Sequence, residues 1–291
     1  MKKIIFGLSI VIIIIIIGIL FISKGGNLDL KNEKIEQKNT FFDLEYNPDG
    51  NRINLDDTSE IFLEYSYSED QNSDQSFRYT WFEEKFESLE IINELKNTDE
   101  KTVVILPIFT HSAYAEFGFY RYFEEKRYQE RLTIEINRIQ PPQYNSGKNA
   151  IQILHILNYN FISDIDIDSN PEILSNYDKV IVLHNEYVTK IEFDAITNHP
   201  NVLYLYPNAL YAEINYDLKK DLISLIKGHG YPEKEINNGF DWEFENTHPF
   251  EYDTKCENWK FYEIDNGKML NCYPEEKIWQ DKMLLKAIKE F

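Results

Sequence analysis

Positive charge is what this 291-residue chain has least of. Lysine and arginine number 30 against 50 acidic residues, a formal net charge of −20. Such a surface repels polyanions, so nucleic acid is not an expected partner. Cysteine is limited to two residues, Cys256 and Cys272, and neither sits on a strand-to-helix elbow where a nucleophile would stand. No N-x-[ST] sequon occurs, so N-glycosylation is not indicated. Also missing are a G-x-S-x-G elbow, a phosphate-binding P-loop and an H-E-x-x-H zinc helix, which removes the usual signatures of serine hydrolases, NTPases and zincins. No metal and no cofactor are expected.

What the chain does have begins at its first residues. Ile4–Ile22 is uncharged and almost wholly aliphatic, long enough to cross a bilayer as a helix. Lys2 and Lys3 precede it and Lys24 follows, so the positive-inside rule puts the N-terminus in the cytoplasm. Phe21-Ile22-Ser23-Lys24 lacks the small-x-small pattern of a cleaved signal peptide. The expectation is a single-pass membrane protein, held in the lipid bilayer through residues 4–23, with its C-terminal domain extracellular. Residues 1–24 form the anchor and 25–40 a polar juxtamembrane linker. In an exported domain an even cysteine count suggests a Cys256–Cys272 disulfide. Asn266-Gly267 reads as a type I′ turn that places Phe261, not Cys256, opposite Cys272. The bridge therefore needs a bend near Glu257-Asn258.

The stretch Lys179–Tyr211 organises the rest. Val180–Leu183 is an unbroken run suited to a strand covered on both faces. Thr189 meets the requirements of a helix N-cap, with Glu192 three residues on as capping-box partner and Val188 and Phe193 as hydrophobic staple. Asn198-His199-Pro200 stops the helix, and Val202–Tyr206 returns as a strand. The separation fits a parallel crossover rather than a hairpin. Ligands of open parallel sheets bind beyond the strands' carboxyl ends. Here those ends carry His184, Asn185 and Glu186, then Pro207, Asn208 and Tyr211.

The fold class expected is α/β: an open, mostly parallel sheet with flanking helices, a membrane helix before it and a small β-rich cap after it. Residues 41–98 form a β-rich N-terminal part, with alternating runs Ile61–Tyr67 and Phe77–Trp81 pairing antiparallel. A helix follows with Phe82, Phe86, Leu89, Ile92 and Leu95 on one face. The α/β domain spans 99–232. Thr102–Leu106 is its first buried strand, and Pro107 ends it and brings His111 and Ser112 to the sheet edge. Tyr114–Lys126 is read as helix, Leu132–Asn137 as strand, and Ala150, Ile153, Leu154 and Leu157 as a helical stripe. Ser163–Glu172 alternates carboxylates like a calcium loop but lacks its glycine and final glutamate, so it is read as caps and a solvated acidic loop. Ala212–Tyr216 and Leu222–Ile226 form a hairpin before the tight Gly228–Pro232 loop. Residues 233–291 form the cap, closed by a helix through Leu284, Leu285 and Ile288.

Two chemistries compete at the sheet edge. Catalytic candidates are His184, Glu186 and Ser112, which would have to meet in space to form a hydrolase triad; ligand-binding candidates are His111, Asn185, Asn208, Tyr211 and His229. Against both stands a plainer reading, in which these groups cap helices and bond loop backbone. Asp178–Ile214 resembles the later half of class I glutamine amidotransferase-like domains. Together with Thr102–Tyr114 and Gly228–Pro232 it is also similar to membrane-anchored proteins of ammonia-oxidising archaea. The resemblance implies a flavodoxin-like or amidotransferase-like sheet. It also implies loss of glutaminase activity, since Tyr206-Pro207-Asn208 stands where that family has its cysteine elbow. The role expected is binding or assembly at the cell envelope, with an envelope protein or small ligand as partner. The alternative is a hydrolase built on the edge residues.

Overall fold

The computed structural model describes residues 51–68, 80–120, 122, 129–138, 142–240, 242 and 250–291. The expected anchor and linker, the polar loop at 69–79 with Phe77, and much of the helix expected to run to Lys126 lie outside the described residues. Among those described, no helix is long and apolar enough to cross a membrane.

The chain opens with β1 (Asn51–Asp56), β2 (Phe62–Ser68) and β3 (Thr80–Glu84), an antiparallel sheet in that order. Tyr65 faces Trp81 across the β2–β3 pair. The next helix, α1 (Leu89–Leu95), begins later than the apolar spacing predicts. Lys85 donates its N–H to the Ile61 carbonyl and holds the chain on the sheet. Phe82 is therefore a buried strand residue, whereas Phe86 is 85% exposed.

After α1, β4 (Thr102–Leu106) is buried at every position. Pro107 ends it as expected, but the chain then enters a helix, α2 (Ile108–Tyr114), and not a loop. Tyr114, expected to open the next helix, instead closes α2; residues 115–119 form a turn, and Tyr120 and Tyr122, within the expected Tyr114–Lys126 helix, are helical. A Cβ on Gly118 would lie 2.0 Å from the Ala113 carbonyl oxygen, so this glycine lets the chain fold back against the helix end. Next come β5 (Thr133–Glu135), α3 (Lys148–Ile156), β6 (Asn160–Ser163) and α4 (Asp164–Ser169). Ser163 caps α4 in a capping box with Asp166. The acidic run is not a solvated loop: Asp164 is fully buried and accepts the Phe109 N–H at 2.7 Å, tying α4 to α2.

The central unit is β7 (Lys179–Val182), β8 (Tyr187–Thr189), α5 (Lys190–Thr197) and β9 (Val202–Tyr204). Thr189 Oγ1 accepts the Glu192 N–H at 3.1 Å, as an N-cap should. The Glu192 carboxylate turns instead to Asn185 Nδ2, 3.5 Å away. Then follow β10 (Ala212–Asp217), β11 (Leu222–Lys227), β12 (Phe261–Ile264), β13 (Gly267–Leu270) and α6 (Lys282–Glu290).

These strands form two further sheets. One has the order β5-β11-β10-β8, with β10–β11 the expected hairpin. The other has the order β12-β13-β9-β7-β4-β6, and β7 and β9 run parallel with Val180 opposite Val202. The tail is thus no separate cap: β13 pairs in parallel with β9 and extends the main sheet. Its register also corrects the expected turn. Gly267 lies in the strand against Val202, where a Cβ would come within 1.8 Å of the Val202 carbonyl oxygen. Asp265-Asn266 makes the turn, and Phe261 faces Leu270. Cys256, left-handed at φ 48°, bends the chain so that its Cα stands 5.4 Å from that of Cys272, and the two are bridged. Asp281 caps α6, whose Leu284, Leu285 and Ile288 are buried.

Candidate functional site

The loop joining β7 to β8 carries His184, Asn185 and Glu186 to the floor of a cavity of about 440 Å³. Backbone bonds fix that loop. The Asn185 carbonyl accepts from Leu210, and the Glu186 carbonyl from Tyr211 and Ala212. This brings the β9–β10 segment, with Asn208 and Tyr211, onto the same cavity. Glycines at 228 and 230 hold the next loop in left-handed conformations, and His229 between them has φ 51°. A non-glycine residue held there costs on the order of 1 kcal/mol or more, a strain typical of functional loops. The backbone places His229 over Glu186, its ring stacked on Tyr187.

Glu186 is the centre of the arrangement. Its Oε2 accepts from the Tyr114 phenol at 2.7 Å, and the Tyr120 phenol donates to Tyr114 at 2.6 Å. Its Oε1 lies 2.6 Å from His229 Nε2, and its Oε2 lies 3.6 Å from His184 Nε2. Complete burial pushes this carboxyl upward. The two histidines and the Tyr114 hydroxyl outweigh that and hold it below the ordinary carboxylate range. Desolvation acts oppositely on its neighbours: the His184 imidazole is pushed down and the Tyr114 and Tyr120 phenols up. His184 Nδ1 lies 2.6 Å from the Asn145 carbonyl. A carbonyl only accepts, so Nδ1 carries a proton, and Nε2 is the nitrogen left to take one up.

Of the residues singled out by sequence, His184, Glu186, Asn208, Tyr211 and His229 line one cavity. Asn185 lies beneath it, bonded to Glu192. His111 and Ser112 do not reach it. Both are buried in α2, His111 beside Ser146 Oγ and Ser112 between the Ile108 carbonyl and the Asn137 N–H. The Ser112–His184–Glu186 triad is therefore corrected, because the hydroxyl is engaged with backbone inside a helix and not directed at His184. Sequence reasoning missed Tyr114 and Tyr120 on one wall, Tyr144 and Asn145 before α3, and Glu251, Tyr252, Thr254 and Tyr273 from the tail. Tyrosine, with 20 residues, is too common for any one to stand out. The tail residues needed the β9–β13 pairing, which no local pattern encodes.

Among the described residues no group of three or more His, Cys, Asp or Glu side chains could hold a metal ion. A cation at this cavity would need the phenol oxygens of Tyr114 and Tyr120 beside the Glu186 carboxylate. That oxygen-rich set suits a hard cation.

No curated protein matches the chain. The family model for the N,N-dimethylformamidase beta subunit-like, C-terminal domain matches residues 90–236, just over half of the chain. This overturns the resemblance to class I glutamine amidotransferases. The polar centre follows β7, at His184 and Glu186, and β9 runs into buried Leu205 and Tyr206 with no nucleophile's elbow. The chain belongs to the N,N-dimethylformamidase beta subunit-like C-terminal family.

Proposed function

We propose that the cavity over Glu186 hydrolyses the C–N bond of a small amide. The observation that carries this reading is Glu186 itself, an ionised carboxylate at the bottom of a tyrosine-lined cavity, with an imidazole and a phenol converging on it. The matched family's name, that of an amidase subunit, supports it.

The chemistry derives from the groups present. A water bound between His184 and the substrate gives its proton to Nε2 as its oxygen attacks the carbonyl carbon. Glu186 Oε2, 3.6 Å from that same nitrogen, stabilises the imidazolium that forms, while the Asn145 carbonyl holds the Nδ1 side of the ring. The Tyr120 phenol, donating to Tyr114, and the Tyr114 phenol, donating to Glu186, hold that carboxylate in place. Collapse of the tetrahedral intermediate returns the proton from His184 to the departing amine, leaving a carboxylic acid.

One observation favours a metal-assisted form of the same reaction. Tyr114 and Tyr120 stand together against Glu186, and these three would hold a hard cation, whose contribution would be Lewis acidity. Elemental analysis of the purified protein, repeated on Y114F and Y120F, tests it. Metal lost from the variants supports this form, and a metal-free active protein rules it out.

The Cys256–Cys272 bridge and the Ile4–Ile22 run support placing this activity on the extracellular side of a membrane. The decisive measurement is amine release from N-methylated amides by the full chain, H184A and E186Q. Each substitution is expected to lower kcat by about 10²-fold or more, the usual weight of a positioned acid–base group. Unchanged turnover in folded E186Q would overturn the proposal. Amide binding by the wild type without any turnover would leave a binding role in its place.

A further inference from the structure

His184 is held in part by residues beyond the matched family segment. That segment ends at residue 236, and two later side chains, Tyr273 and Glu275, grip the turn that faces the imidazole. The turn runs from Tyr144 to Gly147, and its Asn145 carbonyl lies 2.6 Å from His184 Nδ1. Tyr273 donates its phenol proton to the Tyr144 carbonyl at 3.0 Å, and its oxygen stands 3.3 Å from the same Nδ1. On the far side of Gly147 the Glu275 carboxylate accepts the Asn149 N–H at 2.9 Å, while Asn149 Nδ2 donates to the Glu275 carbonyl at 2.8 Å. Rings close on the imidazole as well. Tyr206 lies against it with 5.4 Å between centroids, and Tyr273 meets it edge-on at 5.2 Å.

With its proton given to Tyr144, the Tyr273 oxygen has only lone pairs left for Nδ1, and the Asn145 carbonyl has nothing else to offer. Both neighbours therefore accept, and a single N–H on Nδ1 serves them together. The other tautomer would set the Nδ1 lone pair against the carbonyl oxygen at a ring only 2% exposed, where an unmet polar contact is costly. Building on the hydrolytic reading above, we infer that Tyr273 is a positioning residue for His184. It anchors the Tyr144–Gly147 turn and so fixes the orientation and tautomer of the imidazole, leaving Nε2 on the Glu186 side. The tail thereby completes a base that the family segment carries.

Y273F keeps the ring and removes only the oxygen. Amine release from an N-methylated amide is measured on the full chain as wild type, Y273F, H184A and the double variant. Y273F is expected to lower kcat by about tenfold with KM within about twofold, and to cause no further loss once His184 is gone. A purely structural role, or direct contact with substrate, would cost as much in the H184A background. Proton NMR of the same proteins labelled with 15N-histidine reads the ring apart from turnover. The wild type should show an Nδ1–H resonance that is absent from H184A, and Y273F should lose or shift it. S146A removes a hydroxyl that accepts the Gln143 N–H and braces the turn from outside the cavity lining, and it should repeat both results. A resonance unchanged in Y273F, or an equal loss of kcat with and without His184, overturns the inference and leaves hydrolysis standing. A resonance that responds to Y273F in a protein that turns over no amide keeps the inference and sinks the hydrolytic reading.

Discussion

Glu275 shows how strongly a single buried group sets the behaviour of this protein. Its carboxylate accepts the N–H groups of Asn149 and Ala150 at the start of α3 and the Tyr206 phenol, while Asn149 Nδ2 donates to its carbonyl. The N-terminal end of a helix favours a carboxylate there. Burial is nevertheless complete, and desolvation lifts the acid from 4.5 to about 7. A carboxyl whose folded value is raised stabilises the fold fully below its unfolded value and loses that contribution as pH rises through 7. The window is therefore pH 4.5 to 7, with about 3 kcal/mol at stake. Urea midpoints of the wild type should fall across this window, and those of E275Q should fall by less. Equal slopes would show that Glu275 stays ionised throughout. Nothing near Pro274-Glu275-Glu276 in the sequence distinguishes this acid from its exposed neighbour, because its partners lie 69 and 126 positions away.

The β7–β8–α5 unit carries the site, so its local stability bears on chemistry as well as on folding. Thr189 ends β8 and caps α5 three residues after Glu186. T189A removes one cap bond and should cost about 1 kcal/mol in chemical denaturation. Gly147, at φ 72°, starts α3 at a point where a Cβ would stand only 3.3 Å from the Tyr206 hydroxyl. G147A should cost more than a surface Gly-to-Ala change, about 1 kcal/mol or above, since the conformation and the contact both oppose it. A thermal shift no larger than that of an exposed glycine substitution would contradict this. Much of the element was legible in the sequence. The buried run at Val180, the cap at Thr189, the stop at Pro200 and the parallel partner at Val202 are local patterns with physical causes. The helix α2 was not legible because it buries residues on every side, giving no amphipathic stripe to mark its start.

For the molecule as a whole, the tail is held to the family segment by strand pairing and a buried carboxylate, and is braced internally by a disulfide. The bridge closes a loop of 16 residues. Replacing both cysteines by serine should lower stability by about 3 kcal/mol in the chain-entropy account. The same variant should loosen Glu251 and Tyr273 in the cavity wall, so its turnover of N-methylated amides should fall with it. A double variant of wild-type stability would show that β13 and Glu275 suffice. The candidate site was half legible at this scale. His184, Glu186, Asn208, Tyr211 and His229 come after strand ends that sequence patterns reveal, whereas the tail wall depends on contacts between distant segments.

The pairing of β13 with β9 also orders events in time. During synthesis β9 emerges more than 60 residues before its outer neighbour, and until Gly267–Leu270 arrives its edge hydrogen bonds face water. A nascent chain halted near residue 240 would thus carry the residues around Glu186 but an unpaired strand edge, a template for aggregation. Quality control acting on that edge would sense whether the last segment had been made.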